Sequence, residues 1–170
     1  MFDTDGNGFL EEGDFEALAA RWSRLPRVAA SPELSVRVRG VMTGWWQELS
    51  AAVAAAADPS RPGRGSMDEL MTVIERLPAM AEAVPAPADT IFEAMDENGD
   101  GRISRDAHQR LVAPWHGRSM ATEDVFDRLG QDGDGYLGRA EFALLWTQFW
   151  ISDDPSEHGH AMCGPVGPAA

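Results

Sequence analysis

Residues 3–14 read Asp3-Thr4-Asp5-Gly6-Asn7-Gly8-Phe9-Leu10-Glu11-Glu12-Gly13-Asp14. Oxygen-bearing side chains fall at alternate places, a glycine stands at the sixth, an apolar residue at the eighth and a carboxylate at the twelfth. A calcium ion takes six to eight oxygen ligands from a chain flexible enough to wrap it. This stretch supplies them: Asp3, Asp5 and Asn7 by side chain, Phe9 by its main-chain carbonyl, Glu11 directly or through water, and Asp14 as the closing group after the turn at Gly8. Asp14 is shorter than glutamate and reaches with one oxygen, which lowers the coordination number and admits Mg2+ as a competitor of Ca2+.

The pattern resembles an EF-hand loop, and it recurs. Residues 96–107 place Asp96, Asn98, Asp100 and the Arg102 carbonyl correctly, with Gly101 at the bend and Ile103 at the apolar place, but Ala107 stands where the closing carboxylate belongs. Residues 130–141 offer Asp132, Asp134, the Tyr136 carbonyl and a closing Glu141, with Gly130 in place of the first aspartate. The two starts lie 34 residues apart, close to one helix–loop–helix unit. A similar step backwards reaches Ser60-Arg61-Pro62-Gly63-Arg64-Gly65-Ser66-Met67-Asp68-Glu69-Leu70-Met71. Read from Ser60, this puts Gly65 at the bend and Met67 at the apolar place, but Pro62, Arg64 and Met71 where ligands belong. The expectation is a structural hand that binds no calcium.

Four hands in 170 residues imply an all-α fold of two paired lobes, with the second hand degenerate. The expected division is an N-terminal pair over 1–84, a C-terminal pair over 85–150 and a tail over 151–170. The first loop begins two residues after Met1, so its entering helix is expected to be missing from the chain, through truncation or a misplaced start. Helices are expected from Phe15 to Leu25, ended by Pro26, and from the Ser31-Pro32-Glu33 start signal to Asp58-Pro59. The second of these carries Leu34, Val38, Val41, Met42, Trp45, Trp46, Leu49 and Val53 at helical spacing. Another helix is expected over Asp68 to Leu77. The Pro- and Ala-rich stretch 78–88 reads as a connection between halves, and Trp115-His116-Gly117-Arg118 as a bridge to the fourth hand. Phe142, Leu145, Trp146, Phe149 and Trp150 form one stripe on the last helix, which the tail is expected to cover.

The formal charge of −14 opposes contact with nucleic acid or anionic membrane and attracts divalent cations. A single cysteine fits a reducing compartment, and neither a secretory leader nor an apolar run of about eighteen residues is read, so the cytoplasm is expected. Fourteen arginines with no lysine point to a GC-rich, bacterial source.

The four-hand plan resembles the calerythrin and sarcoplasmic calcium-binding protein family. That resemblance implies calcium buffering, transport or sensing without catalysis. More locally, Phe149-Trp150-Ile151-Ser152-Asp153-Asp154-Pro155 and Gly164-Pro165-Val166 look like the tail that caps the ligand cavity of the coelenterazine photoproteins. Trp146 stands where those proteins have a histidine, and Tyr136 is the only tyrosine, so light emission is not expected.

His158, His160 and Cys163 sketch a soft-metal site, but in a Gly- and Pro-rich tail a solvated segment is the simpler reading. The eight methionines and six tryptophans read as core. No catalytic grouping of side chains is seen, so the chain does not read as an enzyme. Three functions remain: a calcium buffer or signal modulator, a calcium sensor docking a partner protein, and a carrier of a small apolar ligand.

Overall fold

The computed structural model describes residues 2–56, 63–75, 85–116, 123–130, 132–152, 154 and 157–162. Eight helices run through them in chain order: α1 (Glu12–Trp22), α2 (Pro26–Ala30), α3 (Pro32–Ala56), α4 (Met67–Ile74), α5 (Pro85–Met95), α6 (Arg105–His116), α7 (Glu123–Leu129) and α8 (Arg139–Ile151). Two three-residue strands, β1 (Arg102–Ser104) and β2 (Tyr136–Gly138), and a 3-10 turn over His158–Ala161 complete the set.

Local chemistry explains most boundaries. α1 opens on Glu12 and Asp14 and closes on Arg21, each sign suited to its end of the helix dipole. It stops at Trp22, and Pro26 then begins a new short helix, because a proline at the first helical place has no N–H to leave unmade. Sequence reasoning had Pro26 only as a stop. Ser31 Oγ accepts a hydrogen bond from the Leu34 N–H at 3.2 Å and so caps α3, with Pro32 as its first residue. The same tolerance of proline in a first turn corrects the reading of 78–88: Pro85 to Ala88 open α5, while 78–84 lie outside the described residues. Nor does Trp115 sit in a bridge. It belongs to α6 and is fully buried; Gly117 and Arg118 lie outside the described residues.

α3, about 37 Å long at 1.5 Å per residue, is the spine, packing against α1, α2, α4 and α5. Its Leu34, Val38, Met42 and Leu49 are buried. Trp45 lies at the meeting point of distant segments, 5.8 Å from Trp115 and 6.2 Å from Trp146 in stacked pairs, 5.5 Å from Trp150, and 6.2 Å edge-on from Phe2. One continuous core thus joins the N-terminal and C-terminal hands. Methionine is divided: Met42, Met95 and Met162 are buried, but Met67 and Met71 stand half exposed on α4.

The hands pair through their loops. Leu10 and Gly65 exchange backbone hydrogen bonds of 2.7 and 2.8 Å, joining the first loop to the second. β1 and β2 run antiparallel with Ile103 opposite Leu137, joining the third to the fourth.

Residues 157–162 of the tail fold back: the His158–Ala161 turn packs against α7 and against α8 beside Leu145, Gln148 and Phe149, while the rings of Trp146 and Trp150 meet Trp45. Gly159 N–H donates to Gln148 Oε1 at 3.1 Å, and a Cβ at Gly159 would meet Gln148 Cβ at 2.4 Å and the Leu145 carbonyl at 2.5 Å. His158 and His160 are therefore part of a folded turn rather than a solvated tail; Cys163 lies outside the described residues. The turn is anchored by His108, fully buried beside Phe126, whose Nε2 lies 2.8 Å from the Met162 carbonyl.

Two expectations follow. Trp45→Ala should remove about 3–5 kcal/mol of unfolding free energy, against under about 0.5 kcal/mol for Val36→Ala at a site 72% exposed; equal midpoints in urea would contradict the central role of the ring. Burial holds His108 below its ordinary pKa of 6.5, and the bond to Met162 offsets this only in part. The unfolded chain then takes up its proton first as pH falls, so stability is full above pH 6.5 and declines below it. Urea titrations between pH 7.5 and 5 should show that decline, and His108→Phe should flatten it.

Candidate metal centre

In the first loop the side chains fold inward around their own backbone. Asp3 Oδ1 accepts from Gly6 N–H at 2.7 Å and Asn7 N–H at 3.2 Å, and Oδ2 from Gly8 N–H at 3.0 Å. Burial pushes the pKa of Asp3 up, but the donors of Gly8 and Gly6 outweigh it and hold the carboxyl below its ordinary value of 3.8. Asp5 Oδ1 accepts from Asn7 N–H at 3.0 Å, and Asn7 Oδ1 from Phe9 N–H at 2.8 Å. Gly6 and Gly8 have φ of +73° and +82°, a backbone region that side-chain-bearing residues rarely adopt.

Asp14 is buried, and its Oδ1 accepts from both the Thr4 N–H (2.8 Å) and the Thr4 hydroxyl (2.7 Å) while Oδ2 accepts from Glu11 N–H (2.9 Å). Sequence reasoning passed over Thr4, which sets the direction of the closing carboxylate. One oxygen each from Asp3, Asp5 and Asp14 comes within 4.8 Å of the others, and among the described residues no other trio of acidic, histidine or cysteine side chains does so. Three like charges at that range repel unless a cation lies between them, so the donor set fits a hard divalent ion.

Loop three is built alike at its start. Asp96 is buried and accepts from the N–H groups of Gly99 (2.9 Å), Asp100 (3.1 Å) and Gly101 (2.9 Å). Its end differs: with Ala107 at the closing place, the Ser104 hydroxyl accepts from Ala107 N–H at 3.2 Å, so α6 is capped without a carboxylate. Asn98, Asp100 and the Arg102 carbonyl keep their loop places, Asn98 Oδ1 accepting from Asp100 N–H at 3.2 Å.

In loop four Asp132 and Asp134 accept from the N–H groups two residues on, at 3.0 and 2.8 Å, and Glu141 Oε2 accepts from Gly138 N–H at 2.9 Å. Tyr136 lies between them in β2. A Cβ on Gly130 would come no closer than 3.4 Å to the Tyr136 carbonyl, so the missing aspartate is absent for no steric reason.

The second loop is a correction. Its eighth place, marked by pairing with Leu10, is Gly65 and not Met67, which is half exposed. The bend is Gly63, at φ +70°. Ser66 N–H donates to Glu69 Oε2 at 2.6 Å, the bond that Glu11 N–H makes to Asp14 and Gly138 N–H to Glu141. The loop therefore counts from 58 to 69 and has Glu69, not Met71, at its close. Two glycines two places apart made either register plausible; the Ser66-x-x-Glu69 capping box was the sequence signal that could have separated them. Asp58 and Ser60, first and third in this count, lie outside the described residues.

Arginine sits at the seventh place of one loop in each pair. Arg64 Cζ is 5.6 Å from the centre of the Phe9 ring, and Arg102 Cζ is 5.6 Å from that of Tyr136. Arg64 Nε also lies 2.7 Å from Glu11 Oε1, and Arg102 Nη1 3.9 Å from Asp134 Oδ2.

The family profile described as "EF hand" matches residues 88–106, ending one residue short of Ala107. The chain is 25% identical to the sarcoplasmic calcium-binding protein beta chain of Penaeus sp., over 98% of its own length and 91% of the relative's. Calcium-loaded apo-aequorin from Aequorea victoria has a similar structure, with a TM-score of 0.69 at 17% identity over 92% of this chain and 87% of that one. A calcium-binding protein of Streptomyces coelicolor superposes with a TM-score of 0.60 at 21% identity, over 90% of this chain and 93% of that one. With loop geometry, paired hands and full-length similarity in agreement, the chain is a calcium-binding EF-hand protein, similar over nearly its whole length to the sarcoplasmic calcium-binding proteins.

Proposed function

We propose that the protein is a calcium buffer or signal modulator of a bacterial cytoplasm, acting by binding alone, with its tightest site in the first loop. The convergence of Asp3, Asp5 and Asp14 carries this reading. Asn7, Phe9 and the flank of Glu11 complete the loop; Asp96, Asn98, Asp100 and Arg102, and Asp132, Asp134, Tyr136 and Glu141, form two weaker sites, each short of one carboxylate. A modulator rather than a sensor is favoured because the large rings already lie in one closed core, whereas a sensor opens to expose a groove. No helix among the described residues is long and apolar enough to cross a membrane. The bacterial and cytoplasmic assignment rests on fourteen arginines without lysine, a single cysteine and the Streptomyces likeness.

Calorimetry tests the ranking. Asp3→Ala should abolish the tightest calcium step, and Ala107→Glu should strengthen a weak one about tenfold, in line with the spread that ligand charge produces among EF-hands. A tightest step that survives Asp3→Ala assigns it to another loop.

One observation favours a second reading, a carrier of a small ligand. The indole N–H groups of Trp22, Trp115 and Trp150 are buried with no hydrogen-bond partner, each omission costing about 1–3 kcal/mol. A guest with an aromatic body and acceptor oxygens would satisfy them. Native mass spectrometry of protein purified from its own cells should then show an added small-molecule mass that Trp115→Phe diminishes; a mass equal to the bare chain removes this reading.

A further inference from the structure

We propose that Arg64, from the loop expected to be silent, withdraws Glu11 from the first calcium site and so sets the affinity of that site from outside it. This rests on the first loop being the tightest site.

Glu11 stands at the ninth place, where an EF-hand side chain reaches the ion directly or through water. Yet Glu11 is not in the converging group, which gathers Asp3, Asp5 and Asp14 alone. Its carboxylate is engaged elsewhere. Arg64 Nε lies 2.7 Å from Glu11 Oε1. That oxygen is buried and makes no well-aligned hydrogen bond, so the contact is chiefly a charge pairing. The register makes it unavoidable, for with Leu10 opposite Gly65 the next residues outward are Glu11 and Arg64. Phe9 fixes the guanidinium from the other side, its ring centre 5.6 Å from Arg64 Cζ. Arg64 is thus held by backbone pairing, by an aromatic face and by a carboxylate, and a flexible surface arginine has none of these constraints together.

Two effects on the ion follow, both of one sign. The ninth place is left to water, and a fixed positive charge stands beside a loop that is to receive a divalent cation. Each weakens calcium binding relative to the same loop without Arg64. The second hand then contributes to function through Arg64: it lowers the affinity of the first loop, moving it from permanent occupancy towards exchange.

The test is a double-variant cycle read by calorimetry at low salt on the full chain, with Glu11 carboxyl chemical shifts by NMR as an independent readout. Removing one positive charge near a divalent ion in a water-like surround predicts that Arg64→Ala tightens the first-loop step by about three- to tenfold. Glu11→Gln should weaken that step less in the parent than in the Arg64→Ala background, where a ligand is lost as well as a charge, and the Glu11 carboxyl shift should respond to calcium only in that background. An unchanged or weakened step in Arg64→Ala overturns the proposal, as does a Glu11→Gln loss of equal size in both backgrounds. Should Arg64→Ala disturb the hand pair, the parent alone decides, because a Glu11 carboxyl shift that moves on adding calcium contradicts withdrawal. A tightest step insensitive to Asp3→Ala would instead fault the site assignment beneath the proposal, so the two failures read differently.

Discussion

Trp45 holds this molecule together. It is carried near the middle of α3 and meets rings from the N-terminal segment, from α6 and from α8. Each such aromatic pair adds about 0.5–1.5 kcal/mol beyond the area it buries. Because the partners come from both halves, the packing that orients α1 after the first loop is the same packing that orients α6 after the third and α8 after the fourth. The helices that close the loops therefore share one core. α2 adds a second link, its Arg27 guanidinium lying so close to Gly99 in the third loop that a Cβ there would stand 2.9 Å from Nη1.

Against that rigid interior the loops use a cheaper device. Glu11 apart, the loop carboxylates Asp3, Asp5, Asp14, Asp96, Asp132, Asp134 and Glu141 accept from backbone N–H groups of their own loops, so the coil is preformed and the negative charge is partly compensated. The same donors hold the Asp3 carboxyl below its ordinary pKa. The closing carboxylate does two jobs, capping the following helix and facing the ion; where it is absent, at Ala107, the Ser104 hydroxyl takes over the first job. Helix formation and metal affinity are thereby separable in the third hand.

What could be read from residues alone tracks how local the deciding force is. Ligand alternation, bend glycines and closing acids are local, and the bends at Gly8 and Gly101 stand where the residues place them. The second loop failed because Gly63 and Gly65 offered two bends, and the choice is made by the partner strand at Leu10. Trp115 was misplaced because the Gly117-Arg118 pair beside it reads as a break, while its burial depends on Trp45 and Trp22. The tail was misjudged on composition: its glycine is not a sign of looseness but a requirement, since α8 leaves no room for a side chain at Gly159.

The arginine and aromatic pair at the seventh places, Arg64 with Phe9 and Arg102 with Tyr136, bears also on how the chain finds its fold. Loops two and three are neighbours along the chain, and by closure entropy alone they could meet as readily as either true pair. Their meeting would set Arg64 and Arg102 on the same diagonal that Arg102 and Tyr136 now share, and two like charges at that range repel. Loops one and four would in turn bring Phe9 onto Tyr136 and leave both guanidinium groups without a ring. Such a code disfavours the central mispairing, while loop one with three and loop two with four would still join an arginine to a ring, so the seventh place narrows partner choice among the four hands without fixing it.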